Sequence, residues 1–151
     1  MPNPPGSDSR ALDLDLNARL DLAYPGICLI EDDADLRMAL ASTLRAEGYR
    51  VVEAADGADV IGKLSTDVPG FGPMATIDVI VTDQRMPRLT GLDVLEHVRT
   101  TDWATPVILI TAFYDDDLAR EAKRLGALAV LPKPLSVDDL LDAIDLVAPL
   151  D

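Results

Sequence analysis

Four short stretches of this chain carry carboxylates, a hydroxyl and an ammonium that together could manage a divalent cation: Glu31-Asp32-Asp33, Thr82-Asp83, Thr111 and Lys133. Each follows an apolar run. Ile27-Cys28-Leu29-Ile30 precedes the first acids, Val79-Ile80-Val81 precedes Thr82-Asp83, Val107-Ile108-Leu109-Ile110 precedes Thr111, and Ala129-Val130-Leu131 leads into Pro132-Lys133-Pro134. Carboxylates about 4 Å apart repel by roughly 4 kcal/mol per pair at an effective dielectric near 20. Acids crowded in that way call for a cation, and hard oxygen ligands with open water positions suit Mg²⁺, for which Mn²⁺ can substitute. Taken singly, each stretch also has a plainer reading. Glu31, Asp32 and Asp33 suit the N-terminus of a following helix. Asp83 suits the turn before Met86-Pro87, Thr111 a loop hydroxyl, and Lys133 an exposed charge. The chemistry depends on all four meeting at one place, and so on the elements that carry them.

Those elements alternate. Apolar runs at 27–30, 51–52, 77–81, 107–110 and 129–131 are unbroken, as expected of strands covered on both faces. Helical patterns follow them. Leu36, Leu40 and Leu44 recur every four residues within 34–47, with Gly48 as a stop. Val60, Ile61 and Leu64 mark 57–65, Leu92, Leu95 and Val98 mark 91–99, and Leu118, Ala122 and Leu125 mark 115–125. A last stripe, Val137, Leu140, Leu141, Ile144 and Val147, follows a Ser136 cap. Five strand–helix repeats predict a doubly wound α/β fold, a five-stranded parallel sheet with helices on both faces. Ligands of such sheets bind at the carboxyl ends of the strands, where all four stretches fall.

The length of 151 residues fits one domain with a short extension, here 1–25 and 26–151. Residues 11–24 (ALDLDLNARLDLAY) alternate like a strand yet also show helical leucine spacing. They leave open packing on the domain, a homodimer contact, or a flexible leader. A net charge of -14 argues against nucleic-acid binding, which needs clustered Lys and Arg. The single cysteine, Cys28, has no disulfide partner within the chain and reads as a small buried thiol. No stretch approaches the roughly 18 apolar residues of a membrane span, and the Pro/Ser-rich start has no signal-peptide core. A reduced, cytoplasmic setting without a membrane partner is the expectation. His97 reads as a solvated helix residue, and Trp103 as packing in the loop before the fourth strand.

The strings CLIEDDADLR, IDVIVTDQRMPRLTGLDVL, VILITAF and GALAVLPKPLSVDDLLDAI resemble the successive motifs of bacterial response-regulator receiver domains, over about 26–147. The resemblance implies a flavodoxin-like sandwich with strand order 2-1-3-4-5. It implies that Asp83 accepts a phosphoryl group from a sensor histidine kinase or a histidine phosphotransfer protein, with Mg²⁺ at the same site. Asp32 would ligate the metal directly, Glu31 through water, and the carbonyl of Arg85 would complete the protein ligands. Thr111 and Lys133 would each hold a phosphoryl oxygen, and the Lys133–Pro134 bond is often cis in this family. Such a domain is a signalling module with intrinsic phosphotransfer and autodephosphorylation. It switches contacts with a downstream protein or output domain through the 115–125 helix, the fifth strand and the last helix.

The match has one departure. Family members commonly carry Tyr or Phe three residues before the lysine, where this chain has Val130. Phe113 and Tyr114 stand close enough to substitute, or simply pack in their loop. Arg85 and Phe113, two residues beyond the acceptor and the threonine, flank the approach of a hydrolytic water and are expected to slow dephosphorylation. Among other readings, a haloacid-dehalogenase phosphatase needs Asp-x-Asp, but its second position here is Arg85. A flavodoxin needs a hydroxyl-rich loop where this chain has three acids. A non-phosphorylated docking module fits poorly with Asp83, Thr111 and Lys133 all in place. A stand-alone regulator and a piece of a larger one both remain open.

Overall fold

The structure, a computed structural model, describes residues 24–58, 60, 77–101 and 104–150. Among the described residues five strands and four complete helices follow in the order β1 (Gly26–Ile30), α1 (Ala34–Glu47), β2 (Arg50–Ala54), β3 (Val79–Asp83), α2 (Gly91–Thr100), β4 (Val107–Thr111), α3 (Asp116–Arg124), β5 (Ala129–Pro132) and α4 (Val137–Asp145). All neighbouring strands are parallel, in the order β2-β1-β3-β4-β5. The expected architecture and strand order are therefore present. Residues 57, 58 and 60 are helical, while most of the helix expected over 57–65 lies outside the described residues. So do the 66–76 loop, Trp103 and residues 1–23 of the extension.

Strand side chains alternate between two cores, as the period of two demands. Cys28, Ile30, Ile80, Val107 and Leu109 face one side with Leu95 and Ala122. Ile27, Leu29, Val79, Val81, Ile108 and Ile110 face the other with Leu40, Leu44 and Ile144. Burial of each such side chain contributes about 1.5–3 kcal/mol. Cys28 is fully buried, as its apolar neighbours suggest. Val130 sits partly buried against the first core, so no aromatic ring occupies that position.

The helices begin and end where local chemistry dictates. The Asp33 carboxylate accepts from the amides of Asp35 and Leu36, capping α1, and Gly48 closes it at φ 114°, a left-handed conformation that glycine adopts without a Cβ clash. Thr90 and Asp93 form a capping box on α2, and Asp115 and Ser136 cap α3 and α4.

The third strand starts two residues later than its apolar run. Asp78 instead closes the foot of β1, its carboxylate accepting from the Gly26 amide at 2.7 Å while its own amide donates to the Gly26 carbonyl at 2.8 Å. The strand then runs on through Thr82 and Asp83. His97 departs from expectation: it is half-buried, and its Nε2 is shielded with no hydrogen-bond partner among the described residues.

Candidate metal centre

The carboxyl ends of β1, β3, β4 and β5 converge because the strands are parallel and in register. Ile30 pairs with Thr82, Asp83 with Ile110, and Thr111 with Pro132. Glu31, just past β1, is held by its amide donating to the Ala54 carbonyl at 3.0 Å. Its carboxylate and those of Asp32 and Asp83 each offer an oxygen, and these oxygens lie within 4.8 Å of one another. Glu31 and Asp83 are buried, whereas Asp32 is exposed. Asp33, next in sequence, points instead to the amides of α1.

The ammonium of Lys133 reaches this group from β5. Its Nζ lies 3.2 Å from Asp83 Oδ2 and 3.5 Å from Glu31 Oε1. The backbone holds it there, since the Lys133 amide donates to the Thr111 carbonyl at 2.7 Å. The Lys133–Pro134 bond is cis. Thr111 is buried, and its Oγ1 accepts from the Phe113 amide at 3.0 Å, which leaves the hydroxyl proton available to another acceptor.

Three carboxylates against one ammonium leave an excess of negative charge in a partly dry place. Burial, and then the charge of Asp83, push Glu31 up to about 7, although Lys133 pulls the other way. Burial alone would lower Lys133, but its hydrogen bond to Asp83 and the charges of Asp83 and Glu31 outweigh it and raise the ammonium above its ordinary value. A close cluster of hard oxygens, two buried and one open to water, in charge excess over the Lys133 ammonium, fits Mg²⁺.

Two features around the site were not legible beforehand. Gln84 fastens the loop after Asp83 to α2: its carbonyl accepts from Gly91 N at 3.0 Å and its Oε1 from Leu92 N at 2.9 Å. Position 91 must be glycine for this approach, because a Cβ there would stand 2.7 Å from the Asp83 carbonyl. Arg85 places its guanidinium over the Phe113 ring, 3.7 Å from the centroid. Phe113 and Tyr114 are more than half exposed, so neither is simply packed in its loop. Beside Lys133 a groove of about 350 Å³ runs between α1 and the start of α4, lined by Leu36, Leu40, Pro134, Leu135 and Val137. Among the described residues no helix is long and apolar enough to cross a membrane.

Comparison with known proteins agrees with this geometry. The pattern of the response regulator receiver domain family matches residues 27–145. The transcriptional regulatory protein PdtaR of Mycobacterium tuberculosis is 39% identical over 128 residues, which span 83% of this chain and 58% of that protein. The chain thus spans little more than half of that relative. Sporulation initiation phosphotransferase F of Bacillus subtilis is 28% identical over 82% of this chain and 94% of its own length. Among solved structures, a response regulator receiver domain protein from Clostridium thermocellum superposes with a TM-score of 0.73 at 28% identity, over 82% of this chain and 93% of that one. Chemotaxis protein CheY4 of Vibrio cholerae gives 0.71 at 28% identity, over 82% and 98%. Family pattern, sheet order and the acidic rim agree, and the chain belongs to the response regulator receiver domain family of two-component signalling.

Proposed function

We propose that residues 26–151 form a phosphoacceptor module in which Asp83 takes a phosphoryl group from the phosphohistidine of a kinase or phosphotransfer protein. The observation that carries this reading is the placement of Asp83, a buried carboxylate within a cluster of acids and 3.2 Å from the Lys133 ammonium. Phosphoryl transfer through a loose transition state needs alignment and charge neutralisation more than a strong nucleophile. Asp32 and Asp83 would hold Mg²⁺ with the carbonyl of Arg85, and Glu31 would hold it through water. Bound there, Mg²⁺ neutralises phosphoryl oxygens. An oxygen of Asp83 forms the new bond to phosphorus as the phosphorus–nitrogen bond to the donor imidazole breaks. Lys133 pairs with one phosphoryl oxygen, and the Thr111 hydroxyl donates to another.

The groove between α1 and α4 shares Lys133 with the site and suits the apolar face of the donor protein. Downstream, the Lys133–Thr111 backbone bond links the phosphorylated rim to β5. The face formed by α3, β5 and α4 is then the surface whose contacts change with phosphorylation, and Val130 there makes that change independent of an inward-turning ring. The setting is cytoplasmic, where phosphohistidine donors operate. Incubation with acetyl phosphate, with and without Mg²⁺, tests the reading by intact mass. The expected result is the gain of one phosphoryl group with Mg²⁺ and none in Asp83→Asn. Equal labelling of Asp83→Asn would overturn it.

A further inference from the structure

Arg37 is not among the residues of the acidic rim, yet the structure ties it to that rim directly. It lies one turn into α1, and helical side chains lean toward the helix N-terminus. Its guanidinium therefore reaches back over the end of β1, where Nη1 donates to the Glu31 carbonyl at 2.6 Å. The same guanidinium faces Glu53 on β2, with Nε 3.5 Å from Oε1. Glu53 is held from its other side by Arg45, 3.2 Å away, and Arg45 also donates to the Val51 carbonyl at 2.9 Å. Arg37 is mostly covered, its side chain 18% exposed.

The Glu31 carbonyl belongs to the planar peptide that joins Glu31 to Asp32. The preceding peptide, between Ile30 and Glu31, is fixed by the bond from Glu31 N to the Ala54 carbonyl. Fixing the carbonyl as well sets the plane of the next peptide and hence the direction in which the Asp32 side chain leaves the backbone. Asp32 is the exposed member of the cluster and has no hydrogen bond of its own to orient it among the described residues. Glu53 offsets the charge of Arg37, so this cation does not simply compete with a metal for the acids.

We propose that Arg37, buttressed by Glu53, is a positioning residue that sets Mg²⁺ affinity by fixing the Glu31–Asp32 peptide. The inference rests on the assignment of Mg²⁺ to this cluster. Groups that orient metal ligands typically change affinity about 10–100-fold when removed. A guanidinium is needed because one planar fork must meet a carbonyl and a carboxylate together.

The test is the Mg²⁺ dissociation constant of the metal-free protein, measured by calorimetric titration well below the melting temperature. Arg37→Gln is expected to weaken binding about tenfold, Arg37→Lys to recover part of the loss, and Glu53→Gln to weaken it by a smaller factor. The Asp32 amide resonance of the metal-free protein should shift in Arg37→Gln. A cation acting only through its charge predicts the opposite sign, tighter Mg²⁺ when Arg37 is neutralised. That result, or unchanged affinity with a lowered melting temperature, overturns the inference. If Arg37→Gln does not fold, Arg37→Lys and Glu53→Gln decide it, and unchanged affinity in both overturns it. Absence of Mg²⁺ binding by the unaltered protein would overturn the metal assignment itself, and this inference with it.

Discussion

The two ends of the sheet treat charge in opposite ways. At the amino end of β4, Arg99 of α2 donates to three carbonyls, those of Thr105 at 2.9 Å, Leu125 at 3.1 Å and Gly126 at 3.0 Å. One guanidinium there satisfies the end of α3 and the loop before β4 together. At the carboxyl end, Glu31 and Asp83 are buried with one ammonium between them and with Asp32 close by. The first arrangement spends its polar groups on hydrogen bonds made within the chain. The second holds like charges together against their repulsion, and that repulsion is what a cation bound there would relieve. Hydrogen-bonded charge and crowded charge thus sit at opposite ends of the same five strands.

The largest expected effect is at the hydrogen-bonded end. Arg99→Ala leaves three carbonyls without their charged donor and should cost about 3 kcal/mol, with Mg²⁺ affinity unchanged. Denaturant melts and Mg²⁺ titration of the variant check both halves, and a parallel loss of affinity would break the separation drawn between the ends.

The crowded end should respond to pH in the other direction from ordinary paired acids. Glu31 rises from 4.5 to about 7 in the folded, metal-free protein, so between those values the folded chain keeps a proton that the unfolded chain releases. Stability therefore falls as pH rises through that window, by up to about 3 kcal/mol. Glu31→Gln should flatten the slope, and saturating Mg²⁺ should restore stability above pH 7. Melting temperatures recorded in chelator across this range decide it; the same slope in Glu31→Gln would assign it to other acids.

A smaller effect concerns the lifetime of the phosphoryl group. The Arg85 guanidinium stacks on the Phe113 ring, and neither side chain offers a carboxylate or amide to orient a water; under the proposed function the pair would cover the approach to Asp83. Arg85→Asn combined with Phe113→Glu should shorten the lifetime about tenfold, which is roughly 1.4 kcal/mol in the barrier. Decay of the phosphorylated mass after removal of the donor measures it, and an unchanged lifetime refutes the shielding role.

The smallest contrast lies between neighbours. Asp33 caps α1, so Asp33→Ala should cost about 1 kcal/mol of stability and leave Mg²⁺ binding intact. Asp32→Asn should do the reverse. Equal losses of Mg²⁺ affinity in the two variants would erase the distinction between cap and ligand.

Much of this was legible without coordinates, and the reason is local. Short unbroken apolar runs bounded by turn signals fit strands covered on both faces, and leucines spaced by four fit one face of a helix. α1 begins and ends at the residues its pattern indicates because Asp33 and Gly48 are cap signals carried in the chain itself. Strand ends then place Glu31, Asp32, Asp83, Thr111 and Lys133 on one rim once the strands are parallel. The strand order came from resemblance, since nothing in a single chain orders its strands.

Contacts between segments far apart in sequence were decided only by the fold. The start of β3 at Val79 depends on Asp78 meeting Gly26, a pairing 52 residues long that hydropathy does not record. His97 lies off the apolar stripe of its helix, and only packing shows that its ring is shielded. Arg99, Gln84 and Arg37 carry no motif. Each is one more polar residue on a helix or after a strand until the carbonyls it reaches are known. The sequence by itself determined which side chains stand at the strand ends, because that follows from periodicity. Their distances, their net charge balance and the arginines that hold the backbone around them were decided by the tertiary structure, because hydrogen bonds and Coulomb energies depend on separations in space.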